Sequence, residues 1–127
     1  MERSSGAAPP RQLLAYEVEG AGGDASIVSL AGELDLSTIP QVEKRLLDEL
    51  RSRTSVIVDL TKVTFIDSSG IALLIRADRT TKDGVRLHTV ISRGSQLDRV
   101  FELAGIGQAL PLYLDREAAL AAINGRD

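Results

Sequence analysis

SVIVDLTKVTFIDSSGI, residues 55–71, holds two elements and the join between them. Ser55–Leu60 is a β-branched apolar run bounded by polar residues, the pattern of a central strand buried on both faces. Thr61–Asp67 then leads to Ser68-Ser69-Gly70. From about Ser69 to Thr81, Ile71, Leu74, Ile75 and Ala77 recur at helical spacing. A buried strand feeding a helix in this way is half of a βαβ unit, which implies a parallel sheet.

The flanks repeat the alternation. Upstream, Ser37-Thr38-Ile39-Pro40 offers a hydroxyl for a helix cap and a proline for the first turn. The run to Arg53 spaces Val42, Leu46, Leu47 and Leu50 as one apolar face. Leu13–Glu19 and Ala25–Ala31 read as strands joined by Gly20–Asp24 (GAGGD), a plausible antiparallel hairpin. Downstream, Lys82-Asp83-Gly84 ends the helix and Val85–Ile91 alternates as a strand. Ser92–Ser95 is a loop, Gln96–Ala104 a helix and Leu110–Leu114 a short extended piece. Asp115 caps a last helix, Arg116–Ile123. The order predicts one α/β domain over residues 13–123, with a mostly parallel sheet of four to five strands, an antiparallel N-terminal edge hairpin and about four helices. Residues 1–12 read as a flexible N-terminal segment and 124–127 as a short C-terminal tail.

Composition excludes several functions. The chain has 127 residues, no Cys and one His, so thiol chemistry, Cys-based zinc and multi-His metal sites are absent. Fifteen cations against eighteen acids give a net charge of -3, and no basic cluster suggests nucleic acid. Four aromatics, Tyr16, Phe65, Phe101 and Tyr113, are too few for a base-stacking platform. No apolar run approaches the roughly 20 residues of a membrane span, and the N-terminus lacks the apolar core of a secretory signal. A cytoplasmic location is expected.

Chemistry in open α/β sheets gathers where strand ends meet helix starts. Three junctions qualify: Gly32–Ser37, Phe65–Gly70 and Ser92–Ser95. If the strands are parallel, all three share one rim. Asp67-Ser68-Ser69-Gly70 is the most unusual. Its polar groups could cap the helix, and a helix N-terminus could also seat a phosphate. Enzymatic readings fit less well. The G-x-S-x-G elbow fails because Ile66 stands where glycine is needed, and no P-loop motif occurs. Asp35 and Asp67 on separate loops make a weak metal pair. His88 lies in mid-strand, and its parity opposite Val85 and Leu87 predicts an exposed side chain.

Val56–Leu60, Val63 and Phe65-Ile66-Asp67-Ser68-Ser69-Gly70-Ile71 resemble the core signature of the STAS domain, and within it the anti-sigma factor antagonists. Gly32-Glu33-Leu34-Asp35 resembles their first loop, and Arg99–Ile106 (RVFELAGI) their late helix and its ending. The resemblance covers about residues 13–123. One departure is Arg93, where many relatives have proline after the serine.

The resemblance implies helices packed mainly on one side of the sheet. It implies that Ser68 is phosphorylated by a partner kinase. Glu33, Leu34, Asp35, Asp67, Ser68, Ser69 and Gly70 would form the partner surface. The unmodified chain would bind a kinase-type anti-sigma factor and free its sigma factor. Phosphorylation would switch binding off, and a PP2C-type phosphatase would reset it. Neither a cofactor nor catalysis of its own is expected, and the chain should be a monomer or weak dimer. Two alternatives stay open: a STAS scaffold subunit of a sensory or lipid-transport complex, and a nucleotide-binding STAS protein.

Overall fold

The computed structural model describes residues 14–79 and 86–124. The expected segment 1–12, the turn Lys82–Gly84 and residues 125–127 lie outside them. Among the described residues the strands are β1 (Ala15–Gly20), β2 (Ala25–Leu34), β3 (Ser55–Ile66), β4 (Arg86–Val90) and β5 (Leu112–Tyr113). The helices are α1 (Ile39–Ser52), α2 (Ser68–Arg79), α3 (Gln96–Leu103) and α4 (Arg116–Asn124), with a 3-10 turn at Ile106–Gln108.

The strands form one sheet in chain order, β1-β2-β3-β4-β5. β1 pairs antiparallel with β2, and the other pairs are parallel. Val42, Leu46 and Leu50 of α1, Leu73, Leu74 and Ala77 of α2, and Leu97 and Phe101 of α3 bury against one face. Each large aliphatic side chain so buried contributes about 1.5–3 kcal/mol. Among the described residues α4 alone covers the other face, setting Ala119 on Ile27, Ile57 and Val90. The predicted architecture, helices mainly on one side, is the observed one.

Four local readings are corrected. β2 continues through Gly32, Glu33 and Leu34, and β3 continues to Ile66, so residues read as loop are a parallel ladder. Register shifts between Ser29 and Ala31 and between Gly32 and Glu33 broke the alternation there. Gly32, with φ 118°, supplies the left-handed backbone beside the second shift.

Thr38 is the N-cap of α1, but its hydroxyl makes no cap bond. It donates to Glu33 O at 2.8 Å and accepts from Asp35 N at 3.0 Å, bracing the β2–α1 loop instead. His88 is buried at 6% exposure, with Nδ1 3.1 Å from the Tyr113 hydroxyl. Its register partner is Ile57, so it shares the sheet face that α4 partly roofs. Parity alone treated that face as solvent. The last helix also runs one residue further, to Asn124.

Tyr16 yields a prediction for alkaline stability. Burial pushes its phenol up to about 12, Glu49 and Asp48 add to the rise, and Arg45 opposes it. The Arg45 guanidinium carbon sits 3.8 Å from the ring centroid. The unfolded phenol ionises near 10, so this stabilisation is whole below about pH 10 and is lost as pH rises toward the folded value. Tyr16→Phe should flatten the fall in stability across that window, as read by denaturation at stepped pH. An unchanged fall would refute the assignment.

Candidate functional site

β2, β3 and β4 run parallel, so the loops after all three lie at one end of the sheet. Asp67 links the first two loops. Its Oδ1 accepts from Ser69 N at 2.8 Å and Gly70 N at 3.1 Å, capping α2. Its Oδ2 accepts from Leu36 N at 3.4 Å across the gap to the β2–α1 loop. Its own N–H donates to Leu34 O at 3.3 Å. One carboxylate thus satisfies backbone donors from two segments, where a simple cap would serve one.

The neighbouring loops are also tied. Asp35 Oδ1 accepts from Ser37 N at 3.0 Å and from Ser37 Oγ at 2.7 Å. In the third loop, Ser95 Oγ accepts from Asp98 N at 3.1 Å and donates to Ser92 O at 2.6 Å, capping α3. The rim is therefore a rigid edge. Ser68 is exposed at the first position of α2, outside the hydrogen bonds that lock the loop.

The seven candidate residues fall into two groups. Glu33 and Ser68 are exposed, and Asp35, Asp67 and Ser69 are half-buried. Leu34 and Gly70 are buried, Leu34 completely. These two shape the rim from beneath and present no side-chain surface of their own. The phosphate-seat reading also changes. The Ser69 and Gly70 N–H groups, which could have received an anion, are occupied by the Asp67 carboxylate. With Glu33 near the end of β2 and Asp35 on the loop that follows, the rim that carries Ser68 is acidic.

Two residues missed from sequence belong beside them. Leu36 is 73% exposed and its backbone is bonded to Asp67; Phe65 is 41% exposed and pairs in register with Glu33. A leucine inside a polar loop, Asp35-Leu36-Ser37, was the available signal. Exposed apolar side chains beside a polar rim suit a protein contact.

Gly70 sets how closely α2 approaches the sheet. A Cβ there would lie 2.8 Å from Leu34 O and 2.7 Å from Ile66 Cγ1. The first is backbone and cannot rotate away. Gly70→Ala should therefore destabilise by about 1–3 kcal/mol, a drop of roughly 4–11 °C in Tm for a domain of this size. Calorimetry showing an unchanged or raised Tm would contradict this account of the close approach.

Known proteins resemble the chain throughout this architecture. It is 27% identical over 101 residues to the anti-sigma-F factor antagonist RsfB of Mycobacterium tuberculosis (strain ATCC 25618 / H37Rv), covering 79% of this chain and 82% of that one. A solved anti-sigma factor antagonist from Mycobacterium paratuberculosis aligns with a TM-score of 0.82 at 24% identity, covering 92% of this chain and 99% of the other. The Bacillus cell fate determinant SpoIIAA in its phosphorylated form aligns with a TM-score of 0.59 at 23% identity, over 83% of this chain and 96% of that one. The STAS domain family is matched across residues 15–119, nearly the whole described fold, and the chain belongs to that family.

Proposed function

We propose that this protein is an anti-sigma factor antagonist whose binding is switched at Ser68. In the unmodified state the rim of Glu33, Asp35, Leu36, Phe65 and Ser68 binds a kinase-type anti-sigma factor, which then releases its sigma factor. The partner phosphorylates Ser68 and the complex dissociates. A PP2C-type phosphatase restores the hydroxyl. The chain supplies a rigid surface and an acceptor serine, and the partner supplies ATP and catalysis. The cytoplasm is the expected setting.

The carrying observation is the isolation of Ser68: an exposed hydroxyl at a helix start, on a loop locked by other groups. A kinase can reach it without unfolding anything. Relatives named as antagonists of anti-sigma factors and a phosphorylated protein of the same fold support the reading. Membrane attachment gains no support, since no helix among the described residues is long and apolar enough to cross a bilayer.

The direct test incubates the purified chain with kinase-type anti-sigma factors from the same genome and ATP. Phosphopeptide mapping should place the modification on Ser68. An unmodified Ser68 in the presence of an active kinase would overturn the proposal.

A further inference from the structure

Among the described residues, the sheet face beneath α4 is only partly covered. α4 roofs Ile27, Ile57 and Val90 and leaves the region around Ala15, Ala31 and Thr61 open. A cleft of about 280 Å³ lies there, walled by side chains of both charges. Glu17, Ser29 and Asp59 form one row across three strands in register. Ala15 and Ala31 pair in the next row, and their small side chains leave the space. The register shift after Ser29 sets Lys62 opposite Ala31, and both Thr61 and Lys62 line the cleft. A regular strand would send one of two consecutive residues to the opposite face. Re-aiming a side chain next to a site is a known use of a bulge.

The charges of the cleft are only partly matched. Asp59 is satisfied by Arg116 and by the Thr61 N–H and hydroxyl. Arg116 uses Nε on Asp59 and Nη2 on Ser29 at 2.8 Å. Its Nη1 makes an ion pair with Glu19 at 3.6 Å. Glu17 and Lys62 have no ion pair among the described residues. Among the described residues, unpaired negative charge thus lies at Glu17 on β1 and unpaired positive charge at Lys62 on β3. With strands about 4.8 Å apart, two strand spacings separate these poles by on the order of 10 Å at the backbone. Glu17, Glu19 and Asp59 outnumber Lys62 and Arg116 by one, so the cleft is net negative.

We propose that this cleft binds a small ligand with a carboxylate at one end and an ammonium or guanidinium at the other, of the size of a basic amino acid. The carboxylate pairs with Lys62. The cationic end pairs with Glu17. The net negative charge of the walls rejects dicarboxylates. The cleft lies on the flat of the sheet, away from the Ser68 rim, and does not depend on the partner-switching role.

The test titrates the full chain with L-lysine and with L-arginine while following backbone amide resonances, using succinate as the control. Saturable shifts are expected for residues 15–19, 29–31 and 59–62, with none for succinate. Glu17→Gln and Lys62→Met change exposed side chains, so the circular dichroism should be unchanged. Each should weaken binding about tenfold or more, as expected for loss of a charge-assisted hydrogen bond. The proposal is overturned if neither amino acid gives saturable shifts, if binding survives both variants, or if succinate binds equally well.

Discussion

Ser68→Asp is expected to weaken binding to the anti-sigma factor by roughly two to four powers of ten, while Ser68→Ala binds as the wild type does but can no longer be switched off. A phosphoserine carries about -1.5 to -2 charges at pH 7. The dipole of α2 favours negative charge at its N-terminus, so the domain itself tolerates the change. The interface does not. Asp67 already occupies the helix N–H groups, and Glu33 and Asp35 add carboxylates to the same rim. A new anion would be buried against a partner shaped for a hydroxyl. An uncompensated buried charge costs about 3–5 kcal/mol, and each 1.4 kcal/mol is roughly one decade of affinity. Calorimetric titration of the three forms measures this directly. Equal affinity of Ser68→Asp and wild type would refute the switch, and would leave the fold assignment intact.

Arg116→Ala should lower stability by about 2–3 kcal/mol, roughly 7–11 °C in Tm. It removes the partner of Asp59, whose side chain is 6% exposed in the central strand. Breaking a fully buried pair costs more, but Arg116 keeps 37% of its side chain in water. The remaining Thr61 bonds also soften the loss. Asp59→Asn together with Arg116→Ala should be less than additive, since the double variant leaves no orphaned charge.

The same pair fixes an acid response. Burial pushes the Asp59 carboxyl up, but bonds from Arg116 and Thr61 outweigh it and hold the group below the usual carboxylate range. The unfolded chain therefore takes up this proton first, near pH 4. The contribution is whole above that pH and is lost as pH falls through the lower folded value. Asp59→Asn should flatten this part of the acid denaturation curve. A curve of unchanged slope would remove Asp59 from the account.

The main architecture was legible because its signals are local. The apolar spacing of Val42, Leu46 and Leu50 is a helix wherever it packs, and Val56–Leu60 is a buried strand in almost any context. The Asp-Ser-Ser-Gly block was likewise readable, since its residue types are unusual together at a helix start. What escaped depends on distant partners. His88 is buried by Tyr113, 25 residues away, and by the face that α4 roofs. Arg116 meets Asp59 across 57 residues. Leu34 was read as surface because its strand seemed to end before it. Only pairing with Ile66 shows that β2 carries it into the core.

The strand order also governs synthesis. Because the order in space is the order in sequence, each strand leaving the ribosome finds its neighbour already made. β2 folds back on β1, β3 docks beside β2, and no early edge waits for a strand encoded at the far end. The covering helix on the way to each of β3, β4 and β5 is available in the same step. Closing such moderate loops costs little more as they lengthen. Nascent sheets with long-unpaired edges invite aggregation, and sequential accretion shortens that exposure.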